Sequence, residues 1–409
     1  MTDIETQENA EPASTVSRMK KLWWTIPVVA LLVLSLAVVT FLSGWIPGFG
    51  PRPFPARQGG LFLVSPGIGE GLDKVTFTRL SSFPYASDFD FGAEGNVFVL
   101  QRGEVWSWGP NNDSGQLGSG DILPVDQPIV IEGLPEIRSI SAGMVDAYAL
   151  DTAGQLWGWG QNLPLPAGYS ASDSLVPVPI PGLPPIESFV SGEFATYALD
   201  TSGTVWGWGW DVSRLFGNDD DQGRLAVKIP ELDHITSVSA SEHVGLALKD
   251  DGTVWAWGYS PYGEIGDGTV SQLTVPVQVP DLTNVVSIAR GSSTSYAVQA
   301  NGTAYCWGSN YLHQCGVTGA DIDDGVMFLT PTVIAGPASL HHIIATNSMA
   351  YGFSEEGLWA WGQGWGATLV ESSEENLLPV PASLPDLPGF LSIAEDESHT
   401  MVFFAKLQR

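Results

Sequence analysis

The chain has 409 residues, 45 acidic and 16 basic side chains, and a formal net charge of −29. Because phosphate contacts need clustered Lys and Arg, this charge argues against nucleic-acid binding. The hydrophobic content of 44% excludes disorder throughout, and the 47 Gly and 29 Pro predict many turns and few long helices.

The first predicted element is a transmembrane helix at residues 22–45, after a short cytosolic tail at residues 1–21. Residues 22–44 form an uncharged, mostly aliphatic run, and about 20 such residues cross a bilayer core. Tryptophans lie at both ends of this run, where indole rings favour the headgroup region: Trp23, Trp24 and Trp45. A cleaved signal peptide is the alternative, but its apolar core is shorter, and the small-x-small triplet Ser35–Ala37 lies deep inside this run.

The charges that flank the helix predict its orientation. Three basic residues precede it and two follow it: Arg18, Lys20, Lys21, Arg52 and Arg57. This small excess favours an N-terminus inside the cell. We therefore predict a single-pass protein of the cell membrane with its main body outside. Residues 46–59 are rich in Pro and Gly and are interpreted as a semi-rigid spacer.

From residue 60 to residue 409 the chain repeats a short motif, typically x-W-x-W-G. Six copies begin at residues 105, 156, 205, 254, 304 and 358. The period of roughly 50 residues is typical of a repeat architecture. The tryptophans of these copies are the predicted structural motif: Trp106, Trp108, Trp157, Trp159, Trp206, Trp208, Trp255, Trp257, Trp307, Trp359 and Trp361.

Each copy predicts the last of four short strands. In the fifth unit the strands are predicted at residues 276–279, 285–289, 295–299 and 303–307. Because side chains alternate along a strand, the two aromatic residues of a motif point to one face and the residue between them to the other. Dipeptides such as Asp251-Gly252 before the motif predict two-residue type I′ hairpins, in which both central residues have positive φ. Radial repetition of such units gives an all-β protein, a β-propeller.

The units resemble the repeats of the RCC1 (regulator of chromosome condensation) family, and we interpret the chain as a membrane-anchored, bacterial-type member. The resemblance covers most of the chain after residue 60. It rests on runs such as Gly252–Gly258, on the G-Q-L-G at Gly115–Gly118 and its approximate copy Gly263–Gly266, and on pairs such as Ala247-Leu248. The family fold is a seven-bladed β-propeller of four-stranded blades, so the resemblance implies that fold here.

Six motifs leave one blade for the chain ends to form. Leu391–Ala405 resembles the middle strands of a unit. Gly60–Val64 resembles the missing last strand, with Phe62 in the place of the first Trp. We predict that these two segments pair and close the ring, since closure removes exposed strand edges.

The sequence predicts no catalytic residue, no cofactor and no metal site. It contains no G-x-S-x-G, H-E-x-x-H or G-K-[ST] phosphate-loop motif. The six His are scattered, and a packed or hydrogen-bonded role is expected for them, including His399 at the position of the family's recurrent His. Acidic runs at residues 218–221 and 321–324 do not fit the calcium-loop pattern and are interpreted as solvated turns.

The two cysteines, Cys306 and Cys315, lie in one unit. Outside the membrane an even count permits a disulfide. Cys306 faces away from the aromatic residues of its motif, so a bond requires the following loop to fold back on that face. A disulfide and two packed thiols remain alternatives.

The candidate binding residues are aromatic and follow the motif in their units: Trp210, Tyr259, Tyr262, Tyr311 and Trp365. Repeat symmetry brings equivalent loops to one end of the ring, where exposed Trp and Tyr favour protein recognition. The alternative is that each aromatic ring packs on its own blade.

The sequence thus predicts a non-catalytic module displayed outside the cell that binds an unidentified protein partner through these loops. The alternative is an enzyme, an envelope glycan hydrolase or lyase, whose site is assembled from several blades and leaves no linear motif. A third role that the family implies is guanine-nucleotide exchange with chromatin binding. The predicted anchor and the charge of −29 argue against it.

Overall fold

The computed structural model describes residues 60–66, 75–92, 95–165, 173–193, 195–209, 225–241, 243–317, 326–337, 339–364, 377–384, 390–395 and 401–405. The predicted tail, membrane helix and spacer at residues 1–59 lie outside these ranges. Over the ranges that are described, no helix has the length and apolar character needed to cross a membrane.

The described strands form seven four-stranded antiparallel sheets. Six of them follow the chain order: β3 (Ala86–Gly92), β4 (Asn96–Gln101), β5 (Glu104–Gly109), β6 (Val125–Val130); β7 (Ile137–Ala142), β8 (Asp146–Asp151), β9 (Leu156–Gly160), β10 (Ser174–Pro179); β11 (Ile186–Ser191), β12 (Thr196–Asp200), β13 (Val205–Trp208), β14 (Val227–Lys228); β15 (Ile235–Ser241), β16 (Val244–Lys249), β17 (Val254–Ser260), β18 (Ser271–Gln278); β19 (Val285–Arg290), β20 (Thr294–Gln299), β21 (Ala304–Ser309), β22 (Met327–Val333); β23 (Leu340–Ala345), β24 (Met349–Ser354), β25 (Gly357–Gln363), β26 (Leu377–Leu384). The remaining sheet has the order β2 (Val75–Arg79), β1 (Gly60–Pro66), β28 (Met401–Ala405), β27 (Phe390–Glu395).

The first strands of successive sheets contact one another, as in the pairs β3–β7, β15–β19 and β19–β23. These strands therefore face the axis around which the sheets are arranged. The architecture is an all-β propeller of four-stranded sheets.

The core lies between the sheets. On β17, Val254 and Ala256 pack in a cluster with Trp307 of the following sheet, whereas Trp257 packs with Tyr197 of the preceding sheet. The prediction that both indoles of a motif share one face is therefore confirmed. Trp257 is fully buried, and burial of such a ring stabilises the fold by roughly 1.5–3 kcal/mol.

The motif forms the third strand of each sheet, and the sequence-based division into units was wrong by one strand. Residues 276–279 were predicted as the first strand of the fifth unit. Instead Gln278 of β18 pairs with Trp255 of β17 in the preceding sheet. The physical reason is that β18 returns antiparallel beside the motif that precedes it and completes that sheet on its outer side.

Four hairpins between second and third strands have three-residue loops, so the prediction of type I′ turns was wrong for them. In one, Lys249 N–H donates to Thr253 O at 2.9 Å and Gly252 N–H donates to Lys249 O at 3.0 Å. Only Gly252 has a positive φ, 79°, as in a type I turn that ends in a left-handed residue. The additional residue lets the Asp251 carboxylate accept a hydrogen bond from Thr253 N–H at 2.9 Å.

Three of these turns also meet the next sheet. Gly252 O accepts a hydrogen bond from Val285 N–H, the first residue of β19, at 3.0 Å. Gly154 O accepts one from Ile186 N–H, the first residue of β11, at 2.9 Å. Neighbouring sheets are thus joined by backbone hydrogen bonds at this end as well as by their apolar faces.

The chain ends meet in one sheet, as the sequence predicts. β1 pairs with β28 over the residues Gly60–Val64 and Met401–Ala405. Leu61 of β1 is fully buried and packs with Phe83, Phe89 and Val99 at the β3–β6 sheet. The first residues after the spacer are therefore part of the core.

Candidate protein-binding surface at the loop end

The strand directions divide each sheet into two ends. The loop end carries the turn from the first to the second strand and the loop from the third to the fourth. The turn end carries the x-Gly hairpins and the connection to the next sheet. Tyr259 lies near the end of the third strand β17, and Tyr262 and Tyr311 lie in loops that follow third strands, so these three residues belong to the loop end.

Three loops at this end share one hydrogen-bond pattern: Asn112–Gly118, Ser260–Gly266 and Asn310–Gly316. The first side chain of each loop accepts a hydrogen bond from the backbone N–H five residues later, at 2.9, 3.1 and 2.9 Å. The fifth side chain accepts one from the N–H two residues earlier, at 2.9, 2.8 and 2.9 Å. These fifth residues are Gln116, Glu264 and Gln314. Polar groups inside each loop are therefore paired, which fixes the loop backbone.

The next sheet holds each loop from outside. The backbone carbonyls of Gln116, Glu264 and Gln314 accept the indole N–H of the following motif's second Trp. The distances are 2.8 Å from Trp159, 2.7 Å from Trp307 and 2.6 Å from Trp361. Because these indoles are fully buried, the loop cannot move away without leaving a buried donor unpaired.

Two sheets replace this contact with a tyrosine hydroxyl. Trp208 Nε1 donates to Tyr148 OH at 2.9 Å, and Trp257 Nε1 donates to Tyr197 OH at 3.1 Å. Each tyrosine lies over a glycine between two motif tryptophans, and a Cβ on Gly158 would come within 2.9 Å of the Tyr148 ring. These tyrosines were not predicted from the sequence. The central glycine of the two W-G-W motifs, which leaves room for a neighbouring ring, indicates them.

The loop that carries Tyr311 has a further link, because Cys306 and Cys315 form a disulfide with a Cα–Cα distance of 5.2 Å. Both residues are fully buried. On β5, the strand before the first loop, Ser107 occupies the position that Cys306 has on β21. Its hydroxyl donates a hydrogen bond to Leu117 O in that loop at 2.6 Å. Of the two alternatives for the cysteines, the structure has the bond.

Three of the five candidate residues are described, and all three are exposed. The exposed fractions are 48% for Tyr259, 38% for Tyr262 and 47% for Tyr311. Tyr262 and Tyr311 belong to neighbouring sheets, and their ring centroids lie 6.2 Å apart in an edge-to-face contact. Tyr259 contacts His243 of its own sheet at 5.8 Å. Trp210 and Trp365 lie outside the described residues.

Two half-buried carboxylates join two sheets, and neither was predicted from the sequence. Asp88 and Asp90 of β3 accept hydrogen bonds from the β7 backbone, from Ile140 N–H at 3.0 Å and Ala142 N–H at 2.9 Å. Burial raises the pKa of each carboxyl to about 6, although these hydrogen bonds lower it. Their alternation with Phe89 and Phe91 in the run D-F-D-F was the signal for polar groups on one face of this strand.

A third half-buried carboxylate belongs to the Tyr148 contact. Asp146 accepts a hydrogen bond from Tyr148 OH at 2.9 Å, and this hydroxyl accepts the Trp208 indole. Burial raises the pKa of Asp146 to about 7, and the Tyr148 hydrogen bond lowers it in part. The chain of groups runs from one sheet into the next and supports packing.

The described residues contain no group of three or more His, Cys, Asp or Glu that could hold a metal ion. The acidic runs at residues 218–221 and 321–324, and His399, lie outside the described residues. Of the described histidines, His342 packs against Phe353 and its Nδ1 lies 2.9 Å from Ser287 Oγ. At the loop end, exposed tyrosine rings lie on loops whose backbone is held by hydrogen bonds.

Comparison with known families gives the repeat its name. Residues 102–144 and 251–298 match the profile of the regulator of chromosome condensation (RCC1) repeat, and residues 235–264 match a second RCC1 repeat profile. Over these residues the chain is similar to RCC1 repeats. Residues 235–264 include the hairpin from Lys249 to Thr253, and residues 251–298 include the loop with Tyr262.

Curated relatives share the RCC1 repeats over part of the chain. Human alsin is 38% identical over 78 residues, which is 19% of this chain and 5% of alsin. Human protein RCC2 is 34% identical over 84 residues, which is 20% of this chain and 16% of RCC2. The matched segments are therefore a small part of these relatives.

Solved structures share the fold over most of the chain. Human WBSCR16 has a TM-score of 0.69 and 19% identity, and the match covers 86% of this chain and all of WBSCR16. Yeast RCC1 (Prp20), solved with Kap60 bound, has a TM-score of 0.69 and 20% identity over 88% of this chain and 92% of that chain. At this identity the likeness establishes the RCC1-like propeller fold alone.

Proposed function

We propose that this chain is a membrane-anchored, non-catalytic protein-binding module that presents its loop end outside the cell. The observation that carries the proposal is the pair Tyr262 and Tyr311. Their rings are exposed and in contact across two sheets, on loops held at their base by buried indoles.

Fixed loops make such a pair effective in binding. Tyr and Trp are the residues that most often dominate protein interfaces, because a ring buries a large area with few rotatable bonds. A loop that is already ordered loses little conformational entropy when a partner binds, so more of the contact energy appears as affinity. The yeast RCC1 structure is a complex with Kap60, which supports protein binding as a role of this fold.

In this proposal the seven sheets close into a seven-bladed ring on the outer side of the membrane. The pairing of β1 with β28 supports closure, because it joins both chain ends in one sheet. The buried disulfide supports an oxidising location, since such bonds persist outside the cytosol. The apolar run at residues 22–44 supports the anchor.

The binding role can be tested by photo-crosslinking in the cells that make the protein. The full chain carries a photoreactive phenylalanine derivative in place of Tyr311, and a matched chain carries it in place of Tyr85. Tyr85 is 57% exposed but belongs to the turn end, so it is the control for random encounters. We expect a protein adduct from position 311 and none from position 85. Equal adducts, or none at position 311, would overturn the proposal.

The location needs a separate measurement. Protease added to intact cells should remove the propeller and leave a fragment that contains the tail at residues 1–21. Full protection of the propeller in intact cells, with digestion after the membrane is opened, would overturn the outside placement while leaving the binding role to the crosslinking result.

A further inference from the structure

Two rings at the turn end, the exposed Tyr85 and the partly buried Trp255, are covered by cations of the chain itself. The Arg102 guanidinium carbon lies 4.0 Å from the centroid of the Tyr85 ring. Lys249 Nζ lies 4.5 Å from the Trp255 ring. A cation over an aromatic face is attracted by the ring's negative face, so both rings already have the partner that this chemistry favours.

The described rings at the loop end have no such partner among the described cations. Over the described part of the chain, no Lys or Arg lies above Tyr259, Tyr262 or Tyr311. Tyr262 and Tyr311 contact each other edge to face, at an interplanar angle of 80°, so each ring has at least one face that the other ring does not cover. Their exposed fractions of 38% and 47% agree with this arrangement.

The basic residues of the described ranges are also distributed unevenly. Five belong to strands or turns at the turn end: Arg79, Arg102, Arg138, Lys228 and Lys249. The sixth, Arg290, is at the loop end but is only 6% exposed, and its guanidinium donates to Ser295 Oγ and to Ser292 O. No described cation is thus exposed beside the tyrosine pair.

Carboxylates are exposed at the loop end. Asp113 is exposed on the first of the three shared loops, and Asp267 follows the loop of Tyr262. Asp267 accepts hydrogen bonds from Thr269 N–H at 2.9 Å and from Thr269 Oγ1 at 2.7 Å, which hold its carboxylate in place. Both carboxylates have the negative sign of the whole chain, whose net charge is −29, and such a charge attracts cationic partners.

We propose that the loop end binds a protein segment that presents Lys or Arg, whose cations stack on Tyr262 and Tyr311. This inference rests on the proposed binding role and adds the chemistry of the partner. The rings supply cation–π contacts of the kind that the chain forms for itself at its other end, and the net negative charge attracts the segment before contact.

The test uses the full chain in a non-ionic detergent and three labelled twelve-residue peptides of alternating Gly with Arg, Gln or Glu. Fluorescence anisotropy gives their dissociation constants. We expect the Arg peptide to bind and the Gln and Glu peptides to bind at least tenfold more weakly. Non-specific attraction to an acidic protein would also favour the Arg peptide over the Gln and Glu peptides. Variants of the tyrosines therefore test whether the rings contribute to binding.

Three variants separate ring stacking from charge. Tyr262→Leu with Tyr311→Leu keeps apolar side chains but removes the rings, and binding of the Arg peptide should weaken roughly tenfold for two lost cation–π contacts. Tyr262→Phe with Tyr311→Phe keeps the ring faces and should bind as the unaltered chain does. Tyr85→Leu makes the same change at the turn end and should leave binding unchanged.

The outcomes distinguish this inference from the proposed function. Unchanged Arg-peptide binding in the double Leu variant would overturn the cation-stacking inference, and so would loss of binding in the double Phe variant. If Tyr311 still crosslinks to a protein whose contact segment is neutral or acidic, the binding role stands and the basic partner is wrong. Without any adduct at position 311, the binding role itself fails.

Discussion

Replacing the Cys306–Cys315 bond by an apolar pair tests how much of the Tyr311 loop depends on the covalent link. The chain itself offers the matched replacement, since Ala256 and Ile265 occupy the two positions in the neighbouring sheet and are fully buried. The double variant Cys306→Ala with Cys315→Ile copies that pair. It removes the bond and keeps the apolar contact with the core.

The expected loss follows from the size of the closed loop. The two cysteines are 9 residues apart in sequence. Opening a loop of about ten residues releases chain entropy worth about 2.7 kcal/mol at 25 °C. For a unit of about 350 residues, which gains roughly 0.7 kcal/mol/K of entropy on unfolding, this corresponds to a fall in Tm of about 4 °C.

A second variant measures how much the packing of the two side chains contributes to the free energy of unfolding. Cys306→Ala with Cys315→Ala loses the bond and also leaves a cavity where Ile265 or Leu117 fills the equivalent loops, at a further cost of about 2–4 kcal/mol. Thermal unfolding followed by near-ultraviolet circular dichroism of the buried indoles gives both Tm values. A Tm equal to that of the unaltered chain in the Ala/Ile variant would refute the entropic reasoning. Equal Tm values for the two variants would refute the packing reasoning.

Three further predictions concern the sheets. Burial raises the pKa of Asp88 and Asp90 to about 6 and that of Asp146 to about 7, so the folded state binds protons more tightly than the unfolded state. The Tm should therefore rise as the pH falls from 8 to 5, and Asp146→Asn should flatten this rise above pH 6. Tyr148→Phe removes the acceptor of a buried indole and should cost about 1–3 kcal/mol in urea unfolding, against less than about 0.5 kcal/mol for Tyr85→Phe. Deletion of Gly60–Ser65 removes a central strand of one sheet and should lower the Tm sharply, and an unchanged Tm would contradict closure by β1.

The repeat could be predicted from sequence because its signal is local and occurs six times. The spacing of the motifs gives the number of units, and the alternation in V-W-A-W gives the two faces of β17. What the sequence could not give was the partner of residues 276–279. A strand halfway between two motifs has the same residue pattern whether it pairs backward with β17 or forward with β19, and only the direction of the chain in three dimensions decides.

The hairpin error has a similar cause. The dipeptide Asp251-Gly252 fits both a two-residue and a three-residue loop, since each needs Gly at its last position. The choice depends on the hydrogen bond that Thr253 N–H donates to the Asp251 carboxylate, and the register of the strands sets this bond. At the loop end, the exposed tyrosines were predictable as residues, but the contact between Tyr262 and Tyr311 depends on the angle between two sheets.

Three loops each accept a hydrogen bond from a buried indole that lies later in the chain, and this order has a consequence for synthesis. The loop that carries Tyr262 is held by Trp307, and the loop that carries Tyr311 is held by Trp361. A ribosome releases the chain from the N-terminus, so each loop emerges roughly 40–50 residues before the side chain that fixes it. The sheet that contains β1 can form only after β28 has been synthesised, because β1 pairs with β28. The loop of Tyr311 therefore gains its last contact only when the sixth motif has left the ribosome, and a chain that stops before Trp361 would hold this loop by its disulfide and internal hydrogen bonds alone.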